Sequence, residues 1–347
     1  MRETHGGDWA GFQAQYGALP LDFSASVSPL GLPQGVKQAV TDALEGASRY
    51  PDPLCRQLRA GLARAHGVPP RAILCGSGAA DLIYRLARAL GPGRALLPVP
   101  TFSEYGRALE GAGWQLQPFL LSPGEDFSLP RDFLQAITPG LDLVVLCQPN
   151  NPTGRAVPPP LMGEILARCR SLGVLLMVDE CFSDFLDPPQ TLAGEVMGGR
   201  LLVLRAFTKF YAMAGVRLGY CLCGEAALLE GMERAGPPWA VSSLAQEAGL
   251  AALHEADYAA RLRRLIGEQR PLLKGALEGC GCRVVPGQAN FLLFFHPDPL
   301  LAQKLAQKGV LIRSCRDFPG LGPGWYRTAV WTGEGNRRLA ECIKGCV

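Results

Sequence analysis

A lysine directly after an apolar run is the residue best placed for covalent chemistry. In AFTKFYAMAGVRLGY (206–220), Thr208 and Lys209 follow the run LLVLRAF, and Arg217 lies a short distance beyond them. A lysine at such a site can form an imine with an aldehyde, while a hydroxyl and a guanidinium bind phosphate. The alternative for a lysine considered alone is a solvated surface cation.

Two more polar residues follow apolar runs. Asp179 ends VLLMVD, where an ionised carboxylate is costly without a cationic partner such as a protonated pyridine nitrogen. Asn151 lies in PNNPTG (149–154), whose prolines and glycine predict an exposed loop, and its amide could donate to an oxygen on a bound ring. The alternatives are a strand-end acid or helix cap for Asp179 and a plain turn for Asn151.

The segment GSGAADLIYRLARAL (76–90) favours a bound phosphate. Its two glycines let the backbone approach a ligand closely, and the following helix points its first amides at an anion. The third glycine of the dinucleotide fingerprint is missing, and no Gly-Lys-Ser/Thr of a P-loop follows. A tight strand-to-helix turn is the alternative.

An α/β fold would bring these residues together. From about residue 55 to 240, helix-like stretches alternate with apolar runs bounded by Gly and Pro, which predicts strands covered on both faces. In such sheets ligands lie beyond the carboxyl ends of the strands, where all four features fall. The predicted strands are AILC (72–75), ALLPV (95–99), LVVLC (143–147), VLLMVD (174–179) and LLVLRAF (201–207).

The length of 347 residues predicts two domains with a cleft between them. We expect an N-terminal arm with part of the small domain (1–50), a large domain (51–240) and a small C-terminal α+β domain (241–347). The C-terminal pattern predicts a long helix over 243–277, strands near 283–295 and 310–313, and a last helix near 334–344.

Composition indicates a small-molecule partner. The net charge of +3 is small and scattered, so neither nucleic acid nor an anionic membrane is an expected partner. The absence of a leader-like or spanning apolar run predicts a cytoplasmic enzyme. The 12 cysteines form no CxxC pair, so we expect reduced, buried thiols and no metal site.

The order of these parts resembles the fold-type I pyridoxal-phosphate superfamily, with its aspartate-aminotransferase-like fold, over nearly the full chain. Within it the sequence is most similar to threonine-phosphate decarboxylases of cobalamin biosynthesis, relatives of histidinol-phosphate aminotransferases. PNNPTG and the TK segment are shared across the superfamily. The narrower resemblance is carried by HGG (5–7), LDFSASVSPLG (21–31), RYPD (49–52), PTFSEYGRAL (100–109), TKFYAMAGVRLGY (208–220), PPWAVSS (237–243), LIRSCRDFPGL (311–321) and the YRTAV that follows.

The resemblance implies a role for each candidate in holding pyridoxal 5'-phosphate. Lys209 would form the Schiff base and later shuttle protons, Asp179 would pair with the ring nitrogen, and Asn151 would bind the ring hydroxyl oxygen. The phosphate would rest on Gly78 and Ala79, with Thr208, Arg217 and, from the neighbouring subunit of a homodimer, Tyr50. Phe102 would stack on the ring, and Phe182 stands where aminotransferases commonly have a tyrosine.

For the substrate, the resemblance implies that Arg327 binds a carboxylate and that Arg313 and His5 bind a phosphate. Surface salt bridges are the alternative for these three residues. The reaction implied is decarboxylation of L-threonine O-3-phosphate to (R)-1-amino-2-propanol O-2-phosphate. Ser26, Ser28 and Ser242 depart from the asparagines typical of these segments, both of which we expect near the substrate.

Two other functions remain open at this point. One is a histidinol-phosphate or related amino-acid aminotransferase, which breaks the Cα–H bond instead of the bond to the carboxylate. The other is a catalytically silent ligand sensor on the same fold. The retained Lys209 and the lack of a basic DNA-binding extension disfavour the sensor.

Overall fold

The structure is a computed structural model that describes residues 5–346. Its strands are β1 (Leu21–Asp22), β2 (Ile73–Gly76), β3 (Arg94–Val99), β4 (Gln115–Leu120), β5 (Leu143–Cys147), β6 (Leu175–Asp179), β7 (Leu201–Ala206), β8 (Gly219–Cys223), β9 (Arg283–Val284), β10 (Phe291–Phe295), β11 (Val310–Leu311), β12 (Arg313–Ser314) and β13 (Trp325–Ala329). Its α-helices are α1 (Trp9–Tyr16), α2 (Gln34–Ala43), α3 (Arg56–His66), α4 (Ala79–Leu90), α5 (Ser103–Gly111), α6 (Phe133–Ala136), α7 (Pro159–Leu172), α8 (Ala226–Arg234), α9 (Ser243–Ala252), α10 (Ala256–Glu278), α11 (Leu301–Gln307) and α12 (Gly333–Lys344).

A seven-stranded, mainly parallel sheet forms the centre of the molecule, in the order β2-β8-β7-β6-β5-β3-β4. The strands from β7 to β4 run parallel to one another, whereas β8 runs antiparallel to both β2 and β7. The order places β5, β6 and β7 side by side, so the loops that follow them meet at one edge. The predicted α/β fold with a mainly parallel sheet is confirmed.

The apolar runs of this sheet are explained by burial on both faces. Along β5, Val144 and Leu146 pack into one hydrophobic core, while Leu143 and Val145 pack into a second core on the opposite face. Successive side chains of a strand point to opposite faces, so a strand covered on both sides needs no polar residue. Helix packing on both faces therefore accounts for LVVLC and its neighbouring runs.

Two strands of the large sheet are not among those predicted from the sequence. β4 is an edge strand, and its partly exposed side chains and Pro118 give it no continuous apolar run. β8 follows β7 without an intervening helix and turns back antiparallel. A pattern of alternating strands and helices does not predict such a connection.

A smaller antiparallel sheet, β12-β13-β10-β9, packs with α10 and α12 around a second core that holds Phe291, Leu262 and Leu339. The N-terminal segment joins this part of the chain, because β1 pairs in parallel with β11. The single helix expected over 243–277 was wrong. It is two helices, α9 and α10, interrupted where the Glu255 carboxylate accepts a hydrogen bond from the Gly35 amide at 3.0 Å.

Helix α9 packs on the core of the large sheet, where Ala245 and Ala248 are fully buried. The domain boundaries at residues 50 and 240 stay a prediction. Across residues 5–346, no helix has the length and apolar character needed to cross a membrane. The same residues contain no group of three or more His, Cys, Asp or Glu side chains arranged to hold a metal ion.

Candidate functional site

A cavity of about 200 Å³ lies beyond the carboxyl ends of the central strands. It is bounded by the N-terminal segment, the loops after β5, β6 and β7, and the small sheet. Its walls therefore come from distant parts of the chain. The residues that line it are His5, Gly6, Ser24, Ala25, Ser26, Ala79, Ala80, Phe102, Tyr105, Cys147, Asn151, Asp179, Cys181, Phe182, Thr208, Lys209, Ala214, Arg217, Arg313, Phe318 and Arg327.

Lys209 enters this cavity from the loop that follows β7. Within the described chain its amine has no hydrogen-bond or ion-pair partner, and its backbone carbonyl accepts from the Ser28 amide at 2.9 Å. Burial, reinforced by the positive charges of Arg327 and Arg217, lowers the pKa of Lys209 to about 8. Roughly a tenth of the amine is therefore neutral and nucleophilic at pH 7, far more than for an ordinary lysine.

Asp179 ends β6 as a fully buried carboxylate. Tyr105 donates its hydroxyl hydrogen to Oδ2 at 2.6 Å, and the Cys181 amide donates to Oδ1 at 2.9 Å. Burial raises the pKa of Asp179, and the hydrogen bonds from Cys181 and Tyr105 act in the opposite direction. No cation in the described chain pairs with this carboxylate, so a cationic ligand group would fit beside it.

Asn151 and Arg327 form a buried pair across the cavity. Arg327 Nη1 donates to Asn151 Oδ1, and Nη2 donates to the Ser24 carbonyl at 2.8 Å. Because the Asn151 oxygen accepts from arginine, its amide nitrogen remains to donate to a ligand. Burial lowers the pKa of Arg327 to about 10, so the guanidinium stays cationic at neutral pH.

The turn between β2 and α4 has the features of an anion site. Gly78 caps α4 at φ 85° and supplies no capping side chain, so the first amides of the helix are available. A Cβ at Gly78 would lie 2.7 Å from Arg217 Nη2, which places the guanidinium directly over the turn. Ala79 and Thr208 face the same cavity. The turn predicted from the sequence is thus brought together with two of its predicted partners, Thr208 and Arg217.

The other predicted site residues that line the cavity contact neighbouring side chains. Phe102 packs edge-on against Tyr105 with ring centroids 5.5 Å apart, and Phe182 packs edge-on against Phe291 at 5.0 Å. The partly exposed His5 ring lies 2.9 Å from Glu104 Oε1. Arg313 is buried and pairs with the Asp317 carboxylate at 2.6 Å.

Tyr50 does not reach the cavity of its own chain. Its side chain is 81% exposed and stacks on Trp239, with ring centroids 4.6 Å apart. Of the three serines that depart from the expected asparagines, the structure places Ser26 at the cavity. Ser28 Oγ lies 2.6 Å from the Tyr258 hydroxyl, and Ser242 caps α9 by accepting from the Ala245 amide.

Sequence reasoning missed several residues of this cavity. Tyr105 lies within the quoted motif PTFSEYGRAL, and its spacing from Phe102 places both rings on the same side of α5. Cys147 and Cys181 were treated as ordinary buried thiols, although each sits at or just past a strand end where ligands bind. Their position relative to PNNPTG and Asp179 was the available signal.

The residues present fit pyridoxal phosphate. The cofactor's aldehyde matches a buried, partly neutral lysine, and its ring nitrogen matches a buried carboxylate that has no cationic partner in the described chain. Its phosphate matches an uncapped helix start beside an arginine. The fit thus rests on a lysine amine with no hydrogen-bond partner and a carboxylate with no cationic partner among the described residues. When bound, this cofactor supplies an electron sink for a bond broken at the substrate's Cα.

Comparisons with known proteins agree with this geometry. Residues 20–343 match the family "Aminotransferase class I and II". The chain is 38% identical to a threonine-phosphate decarboxylase from Salmonella typhimurium, covering 99% of this chain and 96% of that one. It is 33% identical to a histidinol-phosphate aminotransferase from Desulfitobacterium hafniense, covering 92% and 89%.

A solved histidinol-phosphate aminotransferase from Sinorhizobium meliloti, in complex with pyridoxal-5'-phosphate, has the same fold with a TM-score of 0.87. That match covers 98% of this chain and 95% of the other at 22% identity. The family, fold and cofactor expected from the motifs are confirmed. The chain belongs to the class I and II aminotransferase family and is a pyridoxal-phosphate-dependent enzyme.

Proposed function

We propose that this enzyme decarboxylates L-threonine O-3-phosphate, giving (R)-1-amino-2-propanol O-2-phosphate and CO2. The observation that carries the proposal is a pair of buried arginines in the same cavity as Lys209. Arg313 on β12 and Arg327 on β13 are register partners across neighbouring strands, and both line the cavity. Two fixed cations suit a substrate with two anionic groups, here a carboxylate and a phosphate.

Unsatisfied polar atoms support the carboxylate position. Arg327 Nε and Ser26 Oγ are both buried, and neither has a hydrogen-bond partner among the described residues. Leaving such groups unpaired is costly, and a bound oxyanion would satisfy both. Arg327 would therefore hold the substrate carboxylate, while Arg313 and His5 would hold the phosphate.

The proposed roles of the other residues follow from their environments. Lys209 would bind the cofactor's aldehyde carbon and return a proton to the substrate's Cα after CO2 leaves. Asp179 would keep the ring nitrogen protonated, and Asn151 would donate to the ring hydroxyl oxygen. Gly78, Ala79, Thr208 and Arg217 would hold the cofactor phosphate. Phe102 and Phe182 would form the apolar walls around the ring.

A second candidate is transamination of histidinol phosphate, because the chain also resembles histidinol-phosphate aminotransferases along most of its length. Histidinol phosphate carries a phosphate but no carboxylate, so only one of the two arginines would contact an anionic group of this substrate. The dicarboxylate co-substrate of a transaminase would engage both. The arginine pair therefore favours threonine phosphate over histidinol phosphate as the substrate, but it is also compatible with the dicarboxylate that a transaminase uses as its second substrate.

The test supplies the holoenzyme with threonine phosphate and, separately, with histidinol phosphate plus 2-oxoglutarate. We expect CO2 from the first mixture and no glutamate from the second. Lys209→Ala should abolish CO2 release, whereas Lys274→Ala, which changes a surface lysine on α10, should leave it unchanged. Glutamate formation without CO2 would reject the decarboxylase and support the transaminase.

The same proposal includes a cytoplasmic homodimer that acts in cobalamin biosynthesis. The exposed Tyr50 supports the dimer, since a tyrosine with 81% of its side chain in solvent is available to contact a second subunit's cofactor phosphate. In mixed dimers of Tyr50→Phe and Lys209→Ala chains, one site would combine both changes and the other would have neither. Activity of the mixture above that of either variant alone is therefore expected, and absence of such a gain would contradict shared sites.

A further inference from the structure

A buried tyrosine lines the cavity beside Asp179. Tyr105 is completely shielded from solvent, and its hydroxyl lies 2.6 Å from Asp179 Oδ2. Burial raises the pKa of Tyr105 well above its ordinary value, with a further contribution from the neighbouring Asp179 charge. The hydroxyl therefore keeps its proton and acts as a donor toward the carboxylate.

Asp179 is held by two donors that come from different elements. The Cys181 amide, just past β6, donates to Oδ1, and Tyr105 on α5 donates to Oδ2. One donor alone would leave the carboxylate free to rotate about its last side-chain bond. Two donors on separate oxygens fix the plane of the carboxylate relative to the cavity.

The sheet order explains how a residue from α5 reaches Asp179. α5 follows β3, and β5 lies between β3 and β6 in the sheet. At that point β5 carries Cys147, the register partner of Asp179, and the Tyr105 hydroxyl contacts its thiol. The small thiol at the end of β5 thus leaves the tyrosine room to extend over this strand.

We propose that Tyr105 is a positioning residue that holds Asp179 toward the cavity, so that its carboxylate pairs with the protonated ring nitrogen of the cofactor. This inference rests on the role proposed above for Asp179. Tyr105 acts through the carboxylate and does not itself touch the reacting atoms. Its ring also packs on Phe102, which caps α5, so the start of this helix supplies both a wall of the cavity and the support of Asp179.

The experiment uses Tyr105→Phe, which keeps the ring and its contact with Phe102 but removes the donor. Tyr326→Phe is the matched control, because its buried hydroxyl donates to the Asp298 carbonyl away from the cavity. Each variant is combined with Asp179→Asn, and the dissociation constant for pyridoxal phosphate is measured by absorbance titration of cofactor-free protein. Steady-state kinetics with threonine phosphate provide a second readout.

We expect Tyr105→Phe to weaken cofactor binding on the order of tenfold, as for loss of a hydrogen bond to a charged group. In the Asp179→Asn background the same change should alter binding by less than about twofold. At saturating cofactor, kcat should fall while KM for the substrate stays unchanged. Tyr326→Phe should leave all of these values as in the unmodified enzyme.

Other results would overturn the inference in distinguishable ways. Equal losses from Tyr105→Phe in both backgrounds would mean that the tyrosine does not act through Asp179. If Asp179→Asn weakened binding but Tyr105→Phe did not, the carboxylate role would stand and the tyrosine role would fall. If Asp179→Asn left cofactor binding unchanged, the role proposed for Asp179 would itself fail, and the inference with it.

Discussion

Replacement of Asp179 by asparagine should have opposite effects on the cofactor-free and the cofactor-bound enzyme. Without the cofactor, the carboxylate is buried beside no cation in the described chain, which destabilises the folded state. With the cofactor, the same carboxylate would pair with the ring nitrogen. The variant should therefore unfold at a higher temperature than the unmodified protein when cofactor-free and should gain less stability when cofactor is added.

The magnitude follows from the contacts of the side chain. Asparagine can keep both neighbours, with Oδ1 accepting from the Cys181 amide and Nδ2 donating to the Tyr105 oxygen, so only the charge assistance is lost, at roughly 1 kcal/mol per bond. Against this, an uncompensated buried charge costs several kcal/mol. A net gain of about 2 kcal/mol corresponds to a rise in Tm of roughly 4 °C.

The pH dependence of unfolding distinguishes this explanation from a simple packing effect. Because burial raises the pKa of Asp179 above its ordinary 3.8, this carboxyl group binds its proton more tightly in the folded protein than in the unfolded chain. The loss of folding stability caused by the ionised, buried Asp179 is thus absent at a pH below 3.8 and appears as the pH rises through the raised pKa. The difference in Tm between variant and unmodified protein should grow over that range and then level off.

Asp298 serves as a control, because its pKa is shifted in the opposite direction from that of Asp179. Its pKa is lowered by the hydrogen bond from Lys304, so its contribution to stability is present above 3.8 and is lost as the pH falls. Asp298→Asn should therefore lower Tm slightly at neutral pH. A cofactor-free Asp179→Asn protein that is no more stable than the unmodified one at neutral pH would refute the reasoning, as would a gain that does not change with pH.

Three other experiments test the cavity. Because the pKa of Lys209 is about 8, the rate at which cofactor-free protein traps pyridoxal phosphate under borohydride should rise with pH, with a midpoint near 8. Peptide mapping should locate the label on Lys209, and a label on another lysine would contradict the assignment. Arg327→Lys loses the fork geometry and should raise KM for threonine phosphate roughly tenfold with little change in cofactor affinity, as measured by kinetics and titration. Gly219→Ala would put a Cβ 2.7 Å from the Ala79 amide nitrogen and should weaken cofactor binding by displacing the turn. Gly163→Ala, with open space around it, should bind cofactor normally and serves as the control in the same titration.

The sequence was sufficient to predict five strands of the large sheet, β2, β3, β5, β6 and β7. β5, β6 and β7 are buried on both faces and therefore appear as apolar runs bounded by turn residues. β4 lacks that pattern because it is a partly exposed edge strand, whereas the buried run of β8 was missed because it returns antiparallel directly after β7. The break between α9 and α10 coincides with a contact between Glu255 and Gly35, which are distant in sequence.

Some residues of the candidate site could likewise be predicted from the sequence, and others could not. Asp179 ends β6, and Asn151 and Lys209 lie in the loops after β5 and β7, so their meeting could be predicted from the rule that strand ends converge. Tyr105 was missed because its contact with Asp179 depends on the lateral order of β3, β5 and β6 in the sheet. Lateral strand order is a tertiary property, and nothing in the local sequence of α5 specifies it.

The link between Arg327 and Asn151 bears on which bond at Cα breaks. The bond that aligns with the π system of the cofactor ring is the one that is weakened, so the outcome depends on how the substrate is oriented. Arg327 donates to the oxygen of Asn151, the same residue whose amide nitrogen is proposed to hold the ring. The substrate carboxylate and the cofactor ring would thus be positioned by one connected pair of side chains. A shift of Arg327 would then change the angle of the carboxylate bond to the ring, so the choice between decarboxylation and transamination is expected to lie in the small sheet that carries this arginine.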